Sequence, residues 1–238
     1  MKILAIDSTA SPASVAISEN GNIIGEFFIN TKLTHSTTLM DMCNSLIKNT
    51  QTDISSIDAF AVNAGPGSFT GVRIGVSAIK GMAWTLNKPC ISISTIECIA
   101  QNLLGVECIV CCVMDARCNQ FYNAIFNSTK DNNIKRICED RAISYEALKE
   151  DLKSYKDKRI ILCGDGSDIA FKLLSDDISN LEVATTHLKY QRAYLCATLA
   201  EKKVKDKQTL NANQLMPIYL RLPQAQRELK KKQEKGKI

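Results

Sequence analysis

The sequence is poor in histidine. Its 238 residues contain two, His35 and His187, which lie far apart in the chain. A zinc peptidase of the His-Glu-x-x-His kind needs two histidines one helical turn apart, so a self-contained site of that kind is excluded. Nothing marks an activated serine for a Ser-His-Asp triad either. We therefore predict no catalytic residue and no metal ligand in this chain, and peptidase activity is the least favoured function.

Long hydrophobic runs are missing as well. No stretch approaches the roughly 18 apolar residues of a membrane span, and Asp7 interrupts the first apolar run, which is not typical of a signal peptide. We expect a cytoplasmic protein with no membrane partner, whose ten cysteines are reduced. Cys108 and Cys111 lie in an apolar run typical of a strand, where side chains at i and i+3 face opposite sides. The sequence therefore does not favour a zinc site there.

The standard nucleotide-binding loops are also absent, although the stretch from Gly65 to Gly75 is rich in glycine. A P-loop needs Gly-x4-Gly-Lys-Ser/Thr, and Gly71 falls one residue late for the Rossmann pattern. The pattern predicts a turn between a strand and a helix from Val72 to Leu86, capped by Ser68 or Thr70.

Gly75 and Gly81 lie inside this predicted helix, where each costs about 1 kcal/mol relative to alanine. That cost is tolerable if these two glycines, together with Gly71, allow another helix to approach closely. The sequence therefore favours a protein–protein contact at this stretch over a phosphate cradle. It also predicts that a bulky residue at Gly75 abolishes pairing.

The order of predicted elements occurs twice. Residues 1–106 and 107–187 each read strand, strand, strand, helix, strand, helix, strand, and the third strand of the second half is placed at Ile134 to Glu139. Hairpins join the first three strands and helical crossovers join the others, which predicts a mixed five-stranded sheet with flanking helices in each unit. A helix at 190–204 can pack back on the first unit. Residues 207–238 form a closing segment and a basic tail.

This α/β fold of two tandem actin-like (RNase H-like) units resembles the actin, hsp70 and sugar-kinase superfamily. The resemblance implies an ATP site between the halves, to which each half offers an acid-bearing hairpin, here at Asp7 and Asp115. Kinases of the superfamily carry Asp-x-Gly-Thr at the first hairpin, and neither acid is followed by such a glycine. The chain alone is therefore expected to bind no cofactor. The possible vestigial nucleotide cleft comprises Asp7, Ser8, Thr9, Asp115, Arg117, Gly164 and Asp165.

Several stretches resemble the TsaB family, also called YeaZ. The most specific is the eleven-residue stretch from Gly65 to Gly75. The others are Ile3 to Thr9, His35-Ser36, Asp115 to Arg117, Gly164 to Gly166 and Pro217 to Arg221. Together they cover nearly the whole chain.

The resemblance implies a non-catalytic partner subunit, required for threonylcarbamoyl transfer to the adenosine next to the tRNA anticodon. The chain would dimerise with a catalytic TsaD-like subunit, act with a TsaE-like ATPase, and form a homodimer in isolation. ATP and metal would belong to the partner subunits. The alternative is an ATP-dependent phosphotransferase or ATPase with a site between the two units.

The dimer or partner interface is predicted on the helix from Ser36 to Lys48 and the helix from Val72 to Leu86. Its residues are Leu39, Met40, Cys43, Gly67, Ser68, Phe69, Thr70, Gly71, Arg73, Gly75 and Ile79. Contact with tRNA would be indirect or through the tail. Most of the net charge of +5 lies there, on Arg227, Lys230, Lys231, Lys232, Lys235 and Lys237.

Overall fold

The computed structural model describes residues 1–31 and 33–221. The predicted basic tail lies outside the described residues.

The first sheet has five strands in the order β3-β2-β1-β4-β5. The hairpin strands are antiparallel, whereas β1, β4 and β5 are parallel and joined by helical crossovers. Every residue of β4 is buried, as expected for a central strand covered on both faces. The strands are β1 (Lys2–Asp7), β2 (Ala13–Glu19), β3 (Asn22–Ile29), β4 (Ala59–Gly65) and β5 (Cys90–Ser94).

The second sheet repeats this order as β8-β7-β6-β10-β11, so the two predicted tandem units are confirmed. It has six strands rather than the predicted five. The predicted third strand, Ile134 to Glu139, ends earlier, at Arg136, as β8, and an additional short strand, β9, follows it. Both pair with β7, at different places along it. The strands are β6 (Cys108–Asp115), β7 (Gln120–Thr129), β8 (Asn133–Arg136), β9 (Arg141–Ser144), β10 (Ile160–Cys163) and β11 (Leu181–Val183).

Serine side chains start three of the seven helices. The Ser68 hydroxyl accepts a hydrogen bond from the backbone N–H of Gly71, and Ser94 and Ser144 do the same for their helices. The predicted cap at Ser68 is confirmed. The helices are α1 (His35–Asn49), α2 (Phe69–Leu86), α3 (Thr95–Ala100), α4 (Tyr145–Lys153), α5 (Ser167–Leu174), α6 (Thr186–Lys189) and α7 (Ala193–Lys205).

The helices cover four sheet faces. α1 and α2 pack on the outer face of the first sheet, and α4 and α5 pack on the outer face of the second. The two inner faces exchange helices: α7, which follows the second unit in the chain, packs on the first sheet. Ile96 and Ile99 of α3, which follows the first unit, pack on the second sheet. Each half therefore contributes a helix to the core of the other.

The closing segment after α7 returns to the first unit. Leu210 pairs with Cys90 at the start of β5. The backbone N–H of Ile218 donates to the carbonyl of Ala64 at 2.7 Å. Gly65 has a φ of +123°, and a Cβ there would lie 2.3 Å from the carbonyl oxygen of Ile218. Glycine at this position therefore allows the segment to cross directly over the end of β4.

Candidate functional site

The glycine-rich loop packs on the end of β1 in its own chain. The Ser8 hydroxyl donates to the carbonyl of Gly71 at 2.8 Å, and the Ser68 N–H donates to the carbonyl of Thr9 at 2.7 Å. A Cβ at Gly71 would lie 2.1 Å from the Ser8 carbonyl oxygen, and one at Gly67 would lie 2.3 Å from that of Thr9. These glycines are therefore required by contacts inside the chain.

The structure corrects the prediction that Gly71 and Gly75 allow a helix of a partner to approach closely. Gly75 is buried, and a Cβ there would meet the Ser8 hydroxyl at 2.6 Å and Val62 at 3.4 Å. Gly71 and Gly75 thus accommodate β1 and β4 and not a helix of a partner. Gly81 is different, because it is exposed and a Cβ there would meet nothing described within 4 Å.

Three other predicted interface residues are also corrected. Leu39, Cys43 and Ile79 are at most 1% exposed, and their side chains belong to the core between the first sheet and its helices. They support the surface from beneath. Met40, which was predicted in the same interface, is 42% exposed.

The exposed face of α1 and α2 remains available to a partner. Trp84 is 65% exposed, the largest exposure of a bulky apolar side chain among the described residues. The exposed residues that precede Trp84 on α2 recur at helical spacing, and the last of them is Gly81. The exposed residues of the two helices include Met40, Thr70, Arg73, Ser77, Gly81 and Trp84.

Asp7, the acid that ends β1, is fully buried. One of its oxygens, Oδ1, accepts hydrogen bonds from the Thr9 hydroxyl at 2.7 Å and the Asn63 amide at 3.0 Å. Its other oxygen, Oδ2, has no hydrogen-bond partner among the described residues. Burial raises the pKa of Asp7 to about 6, against the lowering effect of these hydrogen bonds. Gln191, which donates to Thr9 at 3.2 Å, closes the network from the start of α7.

The second hairpin is more open. Asp115 is exposed at the end of β6, and its N–H donates to the carboxylate of Asp165 at 3.2 Å. Burial, with the nearby charge of Asp115, raises the pKa of Asp165 to about 6. Arg117, Cys118 and Asn119 form the tip, with positive φ angles of 59°, 55° and 57°. The left-handed backbone conformation costs about 1–2 kcal/mol for each residue other than glycine or asparagine.

The remaining residue of the predicted cleft, Gly164, holds the loop before α5 against β6. Its φ is +103°, and a Cβ there would lie 2.2 Å from the carbonyl oxygen of Val113. Like the glycines of the first unit, Gly164 is required by a close approach of backbone to backbone.

A cleft of 810 Å³ lies between the units, and residues of both the predicted interface and the predicted nucleotide cleft line it. Its first side is formed by Thr9, two residues after the buried acid, by Ala10 and Ser11, and by the glycine loop from Gly67 to Gly71. Its second side is formed by Asp115, Arg117 and Asp165. Asp7 and Ser8 do not line it, because they lie behind the loop. The cleft thus reaches the acid of the second hairpin, Asp115, but not the acid of the first, Asp7.

Two contributors from the closing segment escaped sequence reasoning. The Tyr219 ring stacks on Phe69 with centroids 4.8 Å apart, and its hydroxyl accepts a hydrogen bond from Arg73 Nε at 2.7 Å. Arg221 donates to the carbonyls of Ala116 and Arg117 across the cleft. The segment was noted as a motif, but its place between the two units depends on the tertiary fold.

His35 and Asn63 also carry contacts that the sequence did not single out. His35 Nε2 lies 2.7 Å from the carbonyl oxygen of Ala10, so the start of α1 is fixed to the loop after β1. Asn63 is a polar residue within an apolar strand, and this mismatch was the one available sign of its hydrogen bond to Asp7.

Residues 1–31 and 33–221 carry neither a metal-binding cluster nor a membrane-spanning helix. These residues contain no group of three or more His, Cys, Asp or Glu that could hold a metal ion. Cys108 and Cys111 pack on opposite faces of the second sheet, as predicted. Within residues 1–31 and 33–221, no helix is both long enough and apolar enough to cross a membrane.

Comparisons with known proteins agree on one family. The family model of TsaD, tRNA N6-adenosine threonylcarbamoyltransferase, matches residues 22–229. The tRNA threonylcarbamoyladenosine biosynthesis protein TsaB of Bacillus subtilis is 28% identical over 95% of this chain and 96% of its own length. TsaB of Haemophilus influenzae is 26% identical over 93% and 94%. The structure of YeaZ from Pseudomonas aeruginosa superimposes with a TM-score of 0.77 at 21% identity, over 92% of this chain and 99% of that one, which shows a shared fold.

Proposed function

We propose a function from the premise that this chain belongs to the TsaD family and is similar to its TsaB members along nearly its whole length. It takes part in tRNA threonylcarbamoyladenosine biosynthesis as the non-catalytic partner of a TsaD-type subunit. The partner supplies the chemistry. This chain supplies a docking surface on α1 and α2.

The observation that carries a non-catalytic role is the closure of the first hairpin. A nucleotide site there needs Asp7 exposed to a cation, and backbone N–H groups directed at phosphate. Instead Asp7 is fully buried, and the carbonyls of Ser8 and Thr9 lie against the glycine loop. Carbonyl oxygens repel phosphate. The geometry therefore opposes an ATP site built on this hairpin, and we propose that ATP and metal belong to the partner subunits.

A docking role is supported by the exposed face of α2. Aromatic residues, and tryptophan most of all, are enriched among the residues that dominate binding energy at protein interfaces. Trp84 is exposed, Gly81 beside it leaves open space, and the apolar side chains beneath are fixed in the core. We propose that the TsaD-type subunit covers this face, that an isolated homodimer uses it too, and that a TsaE-like ATPase joins the assembled pair.

The deciding experiment is co-purification with the TsaD homologue of the same organism, followed by a tRNA modification assay. Trp84→Glu is expected to weaken complex formation at least tenfold, because it replaces the large exposed aromatic side chain by a charge. Ile169→Glu is the matched control: Ile169 is 45% exposed on α5, the counterpart of α2 in the second unit. Modification that proceeds equally well without this chain would remove the proposal.

A second measurement separates the alternative enzyme. Calorimetry of the isolated chain with ATP and Mg2+ is expected to show little heat of binding. Micromolar binding together with turnover would establish the ATPase or phosphotransferase instead. Truncation after Gln226 is expected to leave the dimer intact, so that any loss is limited to a salt-dependent affinity for tRNA.

A further inference from the structure

Arg73 is held by an aromatic pair at the start of α2. Its guanidinium carbon lies 3.9 Å from the centre of the Phe69 ring and 5.8 Å from the centre of the Tyr219 ring. The hydrogen bond from Nε to the Tyr219 hydroxyl fixes the plane of the guanidinium. An arginine stacked in this way has lost much of its side-chain freedom before any partner arrives.

The charge of this arginine is not neutralised within the part of the chain that the structure describes. Arg73 is exposed and takes part in none of the ion pairs found there, and its one hydrogen bond uses Nε. The two terminal nitrogens therefore keep their N–H donors for an external acceptor. Two such donors in one plane fit a carboxylate in a bidentate geometry.

The support beneath Arg73 is fixed as well. Tyr219 belongs to the closing segment, which is tied to the first unit by the Ile218–Ala64 hydrogen bond and to the second hairpin by Arg221. Tyr219 nevertheless keeps 41% of its surface exposed. A preordered aromatic and arginine cluster of this kind binds at a small cost in conformational entropy.

We propose that Arg73, stacked on Phe69 and hydrogen-bonded to Tyr219, binds a carboxylate side chain of the docked TsaD-type subunit. The inference rests on the proposed function and extends its docking surface from α2 to the closing segment. Tyr219 positions Arg73 and adds apolar contact area beside the ion pair.

The surroundings favour a protein carboxylate over an RNA phosphate. A surface that binds a phosphate backbone carries several lysines and arginines. The described neighbours of Arg73 are aromatic rings, and the nearest charged residue of the closing segment, Arg221, donates to the carbonyls of Ala116 and Arg117. A single cation within an apolar patch is typical of a protein interface.

The test compares dissociation constants for the purified TsaD homologue. Arg73→Gln is expected to raise the dissociation constant at least tenfold, and Arg73→Lys is expected to restore little of that loss because an ammonium lacks the planar fork. Tyr219→Phe keeps the ring and removes the hydrogen bond to Nε, so a smaller increase of about threefold to tenfold is expected. Lys130→Gln removes the same charge from an exposed site of the second unit and serves as the control.

The outcomes separate this inference from the function on which it rests. If Trp84→Glu weakens the complex and Arg73→Gln leaves it unchanged, the arginine site is wrong and the docking face stands. If neither variant weakens it, both proposals fail. If Arg73→Gln lowers affinity for tRNA but not for the subunit, the acceptor is a phosphate and the inference is overturned. Unchanged circular dichroism of each variant establishes that its fold is retained.

Discussion

Ser8 and Gly71 lie in contact through both side chain and backbone: the Ser8 hydroxyl donates to the Gly71 carbonyl, and its own carbonyl oxygen leaves no space for a Cβ at Gly71. The end of β1 and the start of α2 are thus one packed unit. The same contact buries Asp7 and directs the other side of α2 outward. The glycines of this stretch therefore fix the orientation of α2 from within the chain, while Thr70 and Arg73 of the same stretch stay exposed.

Alanine at Gly75 is expected to destabilise the chain. The added Cβ would lie 2.6 Å from the Ser8 hydroxyl oxygen, so the serine must move and lose its hydrogen bond to Gly71. Overpacking of this kind costs about 1–3 kcal/mol of the free energy of unfolding, which chemical denaturation measures.

The Ser8→Ala background provides the control for that change. Alanine at residue 8 removes the oxygen that the new Cβ meets, so Gly75→Ala is expected to cost less there than in the natural chain. An equal cost in both backgrounds would show that the Ser8 contact is not the reason for glycine at position 75.

Alanine at Gly81 is expected to stabilise the chain. Gly81 is exposed within α2 and its Cβ position is empty, so the helix gains the intrinsic advantage of alanine, about 1 kcal/mol. Thermal unfolding of the isolated chain measures the gain. A loss of stability in the isolated chain would contradict the open environment of this residue.

The fold was accessible from the sequence because its signals are local. Strand β5 is a short apolar run that ends at Ser94, whose side chain caps the next helix. Asn20-Gly21, a dipeptide typical of hairpin turns, lies between β2 and β3. The division of the third strand of the second unit was missed, because the break at residues 137–140 contains neither glycine nor proline.

The site was less accessible because its contacts join distant parts of the chain. The glycines of α2 have the same sequence signature whether they approach β1 or a partner helix, and only the neighbour at Gly75 distinguishes the two. Tyr219 and Phe69 are far apart in sequence, so their stacking had no local sign. Solvent exposure within α1 also depends on the sheet beneath it, which is why Leu39 and Cys43 were predicted in the interface although they lie in the core.

Cys118 is expected to be the rapidly reacting thiol of the native protein. It is exposed at the tip of the second hairpin, whereas eight of the other nine cysteines are buried and Cys138 is partly buried. Burial also raises the pKa of thiols such as Cys43 to about 12, which leaves little thiolate to react. Titration with a thiol reagent should show one fast equivalent that Cys118→Ser removes. Several fast equivalents in native protein would contradict the burial of the others.

Asp7 makes stability depend on pH in a direction opposite to that of a salt-bridged acid. Its pKa rises from 3.8 to about 6 on folding, so the folded chain binds the proton more tightly than the unfolded chain does. Its contribution is therefore most favourable below about pH 4 and is lost as the pH rises through 6, by at most about 3 kcal/mol. Asp7→Asn keeps nearly the same side-chain shape and removes this titration. The variant should gain stability relative to the natural chain between pH 4 and 7, measured by denaturation at each pH. A difference that stays constant over this range would show that Asp7 keeps an ordinary pKa.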